Sequence, residues 1–381
     1  MSTTSRSAGC RAPRARSSFG SARALSLLLM VAWKNRSVIQ AAAEHSERAV
    51  HFLLRSEEPA IRYLTRRDLL DEEGRAEALA ILSGPKVAAL LSGPRPEEFR
   101  PGSGWRSQLG AEFGFGEGAY RNWAGAHWRL VSLVELGVGS QVERARMATA
   151  QVLGWLANPE RIRKVPIIDG LARRCASQEG NALGVCCRLG LADDERVALL
   201  AASLIAWQWP EGGWNCDVRA SGRRSSFHES LPPAWGLHEY AQASGDQKAQ
   251  AAAGRAAELF LSHRLFRSLS TGEPISRTWL LPHYPPYWHY DILQGLHILV
   301  RLGHAHDSRL EDAVAVLESR RSTDGTWGAG GYWWKPLGAG RDGNRGLKAW
   351  NVEVVDWGRS GPNEMITLNA LRVLRAVGRL G

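Results

Sequence analysis

Cys175, Cys216, Asp217, His228 and His289 are the residues of this chain whose types suit a metal. Zinc is bound by cysteine sulfur, histidine nitrogen and carboxylate oxygen, and a catalytic zinc keeps one position open. No C-x-x-C or H-x-x-x-H spacing is present, so the candidate set is scattered: Cys216, Asp217 and His289, with zinc as the implied ion. The competing reading is that the cysteines are small buried thiols. Proton transfer needs a histidine, tyrosine or carboxylate in reach of a substrate. His228, His289, Tyr290 and Asp291 are the candidates for that role. A second group suits an anionic or hydrophobic ligand: Glu179, Asn181, Glu229 and Asn363 at expected helix starts, Arg264 and Arg277 on the loops that follow, and Trp214. Helix N-termini favour negative charge, and arginines add charge-assisted hydrogen bonds. The competing reading for each polar residue is an ordinary helix cap.

These residues are positioned by a repeat. Segments 188–214 and 301–327 align from end to end without a gap, with ten identities that end on Gly212-x-Trp214 and Gly325-x-Trp327. The offset is the one that carries Gly190 onto Gly303. Glycine caps a helix in the left-handed conformation, and glycines at 137, 190, 245, 303 and 378 fall at intervals of about half that offset or more. A helix-like run precedes each: Trp128–Leu136, Asn181–Leu189, Pro233–Ala243, Tyr290–Leu302 and Glu364–Val377. A second helix follows the first four: Val142–Leu156, Asp194–Trp207, Gln247–His263 and Ser308–Ser319. Segments 37–55, 59–71 and 75–92 add three more. The spacing therefore predicts an all-α fold of helical hairpins of about 50–60 residues each. The last hairpin lacks a second helix, and 37–55 is expected to supply it by packing against 364–377. Residues 328–361 read as a Gly/Trp-rich insertion covering one mouth of a central cavity. His228 and His289 stand at similar separations ahead of Gly245 and Gly303, which places both at inner-helix starts on one rim. Cys216 and Asp291 are expected on the same rim.

Composition narrows the classes. The chain has 381 residues, a formal charge of +10 and 44% hydrophobic residues, so global disorder and fibrous classes are excluded. Residues 1–36 hold seven of the basic residues and no Asp or Glu. The remainder is nearly neutral, which argues against nucleic-acid binding by the folded part. That stretch reads as a disordered basic tail, with a signal peptide, or a true start at Met30, as alternatives. No apolar run reaches the ~18–20 residues that cross a bilayer. Five cysteines, two of them adjacent, do not form a disulfide framework, so a cytoplasmic location is expected. The alternative is export, if 1–36 is a signal peptide. Tryptophan is the compositional outlier, 16 residues against 8 Phe, which suggests rings used at fixed turns or in a lined cavity. Three segments follow: the tail 1–36, an N-terminal helical segment 37–119, and the repeat domain 120–381.

The links between repeats carry a resemblance. Gln208-Trp209-Pro210-Glu211-Gly212-Gly213-Trp214 matches the Gln-x-x-x-Gly-x-Trp core of the QW motif of squalene and oxidosqualene cyclases, and Arg321-Ser322-Thr323-Asp324-Gly325-Thr326-Trp327 is a looser copy. Pro59-Ala60-Ile61-Arg62-Tyr63-Leu64-Thr65 and Trp288-His289-Tyr290-Asp291 resemble segments of bacterial squalene-cyclase-like proteins of unassigned function. The resemblance covers roughly 120–378. It implies an (α/α) toroid of the terpenoid-cyclase and protein-prenyltransferase group, with a hydrophobic, isoprenoid-type substrate in a central cavity. It also marks departures. The Asp-x-Asp-Asp acid of the class II cyclases is missing, Asp193-Asp194-Glu195 standing instead at a helix start. The Asp-Cys-Thr motif and the prenyltransferase Asp-x-Cys zinc spacing are missing too. The expectation is thus a cyclase- or prenyltransferase-like binder. The alternatives are a non-catalytic helical-repeat binding protein, or a toroid-type polysaccharide lyase using Tyr290.

Overall fold

Left-handed glycines follow five of the described helices. In the computed structural model, which describes residues 43–92, 118–336 and 352–380, Gly137, Gly190, Gly245, Gly303 and Gly378 all have φ between 72° and 93°. Four of the five close the same pair of hydrogen bonds. The glycine N–H donates to a carbonyl three residues back and the next N–H to one five residues back, as in Leu191 N–H to the Cys186 carbonyl. The fold is mostly helical, with two short two-stranded ladders: Ile167–Ile168 with Leu171–Ala172, and Lys335–Pro336 with Val352–Glu353.

The described helices run in pairs. α1 spans 43–54, followed by α2 (Pro59–Leu69), α3 (Arg75–Ala80) and α4 (Pro85–Leu91). The hairpins are α5 (Ala126–Glu135) with α6 (Glu143–Leu156), and, past the short α7 (Pro159–Arg163), α8 (Ala176–Arg188) with α9 (Glu195–Trp207). Then come α10 (Phe227–Ser244) with α11 (Gln247–Ser262), α12 (Ile292–Arg301) with α13 (Glu311–Ser319), and α14 (Glu364–Ala376). The first helix of each pair is the more buried. Its contacts run in series: α5 on α8, α8 on α10, α10 on α12, α12 on α14, α14 on α2, and α4 back on α5.

Three boundaries differ from the sequence expectation. α10 begins at Phe227 and passes through Pro232 and Pro233, whereas the proline pair suggests a start at Pro233. α8 begins five residues before Asn181. The expected helix 75–92 is broken into α3, a 3-10 turn at Ile81–Ser83 and α4, because Pro85 cannot continue a helix and instead starts a new one. The tail 1–36 lies outside the described residues.

The repeat is visible in atomic detail. Trp214 and Trp327 are fully buried, and each indole Nε1 donates to the carbonyl ten residues earlier, Leu204 at 3.0 Å and Leu317 at 2.8 Å. Their backbone N–H groups donate to Ser230 Oγ and Thr367 Oγ1, in the first turns of α10 and α14. The turn glycines, Gly212 and Gly325, have φ of 98° and 87°. A Cβ on Gly212 would collide with the Arg255 carbonyl of α11, and one on Gly325 with the His45 carbonyl of α1. α1 therefore stands to the last repeat as α11 stands to the earlier one. Arg321 Nη2 also donates to Ser46 Oγ, and Ser46 Oγ donates to the Leu380 carbonyl.

Candidate functional site

The starts of α5, α8, α10 and α12 come together at one end of the helix array, and an aromatic cluster fills it. Tyr120, Trp123, Trp128, Trp155, Tyr287 and Trp288 lie ring against ring, with Trp123 stacked on Tyr287 at 3.6 Å. Trp333, from the insertion, stacks on His289 at 3.9 Å and 2°, and its carbonyl accepts from Trp123 Nε1. Beneath these rings lies a cavity of about 60 Å³. Its walls are mostly apolar: Phe227, Leu231, Trp235, Trp288 and Ile298. His228, His289, Asn181, Gln294 and Glu135 are polar residues of its lining, with Glu135 at the C-terminal end of α5.

Each polar group has a defined state. His228 Nδ1 accepts the Tyr290 N–H at 2.8 Å, so the neutral imidazole carries its proton on Nε2. Burial holds its pKa below the usual histidine value. His289 is pushed down to about 2 by burial, and by the neighbouring His283 and His228. Both rings are therefore neutral, 6.4 Å apart between centroids. Asn181 Nδ2 is buried with no hydrogen-bond partner among the described residues. Burial would raise the Glu135 carboxyl, but Arg301, with Arg372 and Arg188 behind it, outweighs that and holds it ionised. The Glu135–Arg301 pair, 3.1 Å apart, joins Arg188–Glu239 and Arg372–Asp68 in closing the other end of the inner helices.

The remaining sequence candidates divide by place. Tyr290 touches the cavity, but its hydroxyl donates to the Leu265 carbonyl at 2.6 Å and is buried. Asp291 is fully buried beneath the wall. It caps α12 by accepting Gln294 N–H, and holds His283 through both N–H and Nδ1, the latter at 2.6 Å. Asn363 caps α14 through Ile366 N–H and donates to the Trp357 carbonyl. Trp214 fills its turn away from the cavity. Arg264 and Arg277 lie outside the cavity, Arg264 half-exposed beside Asp312 and Arg277 exposed. Asp217 is turned toward Arg219, which holds its carboxyl down at about 2.

Cys216 joins different partners from those its sequence position suggests. Among the described residues, one group of His, Cys, Asp and Glu has ligand atoms mutually within 4.8 Å: Cys175, Cys216 and Glu229. His289 and Asp217 are not in it. Glu179, fully buried, accepts Arg174 Nε at 2.9 Å one turn further along α8, and its Oε2 has no partner among the described residues. Sequence reasoning missed His283, and it gave Glu229 a ligand-binding role with no link to the cysteines. No motif in the sequence connects Glu229 to Cys216, and still less to Cys175, which lies a whole hairpin earlier.

Comparison with protein-family models, with curated proteins and with solved structures finds no match.

Proposed function

We propose that this chain is a closed ring of helical hairpins, an (α/α) toroid, that binds a short apolar group of the isoprenoid type at the starts of its inner helices. The observation that carries the reading is the cavity, whose walls are apolar and aromatic and whose few polar groups are fixed in state. Pockets of that make-up are the usual small-molecule sites. Ring closure is supported by the serial contacts of the inner helices and by α1, which fills the outer place of the last repeat. Trp235 and Trp288 line the cavity and give it the apolar, aromatic surface that an isoprenoid chain end would meet.

The cavity's 60 Å³ is well below the roughly 300–1,000 Å³ of sites for drug-sized ligands. It suits the end of an isoprenoid chain rather than a polycyclic product. Binding, without cyclase-type chemistry, is therefore the proposed role. Asp291 is engaged by His283 and the α12 cap, so no free carboxylic acid stands over the cavity among the described residues. The lyase reading asks for a free tyrosine hydroxyl, and that of Tyr290 is held by Leu265. Among the described residues no helix is long and apolar enough to cross a membrane. A cytoplasmic location belongs to the proposal, supported by the free thiols of Cys175, Cys186, Cys187 and Cys216.

Titration with geraniol, followed by tryptophan emission, tests the reading. A saturable change is expected in the wild type and not in Leu231→Phe, which fills the cavity. A disaccharide should produce no change. A geraniol response unaltered by Leu231→Phe would count against the cavity as the binding place.

A further inference from the structure

We propose that Cys175, Cys216 and Glu229 form a zinc site with one open coordination position. The inference does not rest on the cavity reading. Its basis is the way the backbone brings three donors together from three segments. Arg173 pairs with Asn215 in a parallel β-bridge, and the Arg174 N–H donates to the Asn215 carbonyl at 3.0 Å. The segment leading into α8 is thereby held beside the segment leaving the Trp214 turn, and the next residues along each, Cys175 and Cys216, become neighbours. Glu229 arrives from the first turn of α10. Its Oε2 accepts the Ser177 N–H at 3.0 Å, which leaves Oε1 directed at Cys216 Sγ, 3.8 Å away.

The distances fit the ion. With Zn–S of about 2.3 Å and Zn–O of about 2.0–2.2 Å, neighbouring donors of a tetrahedral site lie about 3.6–3.8 Å apart. The three atoms here are already within 4.8 Å of one another, so rotamer adjustments of about 1 Å close the site. The donor chemistry is selective as well. Two soft thiolates with one carboxylate suit zinc, whereas magnesium and calcium take oxygen donors. Three protein donors are the number found at zinc sites that keep a position for water or substrate.

Charge balance argues the same way. Zinc takes cysteine as the thiolate, so binding would release the thiol protons and set two thiolates and one carboxylate against the divalent ion. A divalent ion leaves a single net negative charge, beside the Arg174 guanidinium that Glu179 already positions. The Glu229–Ser177 hydrogen bond has the form of an outer-shell contact that orients a ligating carboxylate. Cys186 and Cys187, near the C-terminal end of α8, provide the internal comparison, because neither belongs to such a group.

The test is metal content. Wild-type protein from zinc-supplemented cells, dialysed against metal-free buffer, should carry about one zinc per chain by mass spectrometry. Cys216→Ser and Glu229→Gln should each fall below about a tenth of that, while Cys187→Ser keeps it. Should the ligand variants not fold, cobalt decides. Titrating cobalt(II) into reduced, zinc-stripped wild-type protein should produce thiolate-to-cobalt charge-transfer absorption that one equivalent of zinc abolishes. Wild-type protein without bound zinc and without that absorption would overturn the proposal. So would a Cys175–Cys216 disulfide in protein purified under reducing conditions.

Discussion

At the residue scale, identical side chains do different work according to what lies behind them. His228 and His289 both line the cavity, His228 from the first turn of α10 and His289 from the loop that precedes α12. Asp291, Asn363 and Trp214 are equally plausible ligand contacts by type, and the structure uses them for two caps and a turn. Sequence cannot separate these uses, since an Asn or Asp that caps a helix is the same residue that would bind a ligand there. The repeat tryptophans are the easier case. Trp214→Ala and Trp327→Ala should each cost about 3–5 kcal/mol, measured by urea unfolding, because a fully buried indole and its hydrogen bond are lost together. Costs below about 1 kcal/mol would mean the two turns are not core positions.

Glu353 gives a pH prediction at the same scale. Burial raises its carboxyl to about 7 from an ordinary 4.5, against hydrogen bonds from the Tyr287 hydroxyl, which donates at 2.6 Å, and the N–H groups of Val354 and Val355. The folded chain then holds a proton that the unfolded chain releases from about pH 4.5 upward. The associated stability is full below 4.5 and is lost as pH rises through 7. Neutral His127, pushed down to about 3 by burial, and His289 work with the opposite sign: their contribution is present above 6.5 and is lost as pH falls. Subtracting the stability profile of Glu353→Gln from that of the wild type isolates the first effect. The difference should decline between pH 4.5 and 7, and a flat difference would contradict the buried, protonated Glu353.

At the element scale, helix existence was legible and helix starts were not. Glycine at each C-terminus is a local signal that needs no partner. The starts of α8 and α10 depend on each other. Gly180 lies against the Pro232–Pro233 backbone, Gly236 against the Gly180 carbonyl, and Gly184 under the Trp235 ring. The missing side chains let the two helices approach closely enough for α10 to continue through its prolines, and nothing local announces that pairing. Gly184→Leu should push the helices apart at a cost of about 1–3 kcal/mol, visible as a lower urea midpoint. Gly254→Ala, on the exposed side of α11 with open space around it, should instead stabilise by up to about 1 kcal/mol. Equal effects of the two substitutions would dismiss the close helix–helix approach.

At the scale of the whole molecule, the repeat leads to the expectation that 37–55 completes the last hairpin, and the structure sets α1 against the Gly325 turn through the His45 carbonyl and Ser46, while α2 packs on α14. Leu53 and Ala49 of α1 are fully buried. Leu53→Ala should cost about 2–5 kcal/mol while unfolding remains a single transition. An early, separate transition would show α1 to be an appendage. The cavity's size was the part no sequence pattern could supply, since it follows from how residues far apart in the chain, such as Glu135, Trp235 and Trp288, meet around it. Whether that cavity is the binding place is tested most directly by a crystal soaked with a short brominated prenyl alcohol and measured at the bromine edge. The account predicts one anomalous peak between Trp288 and Trp235, beside His228. Bromine bound only outside the inner helices, with the cavity unchanged, would contradict it.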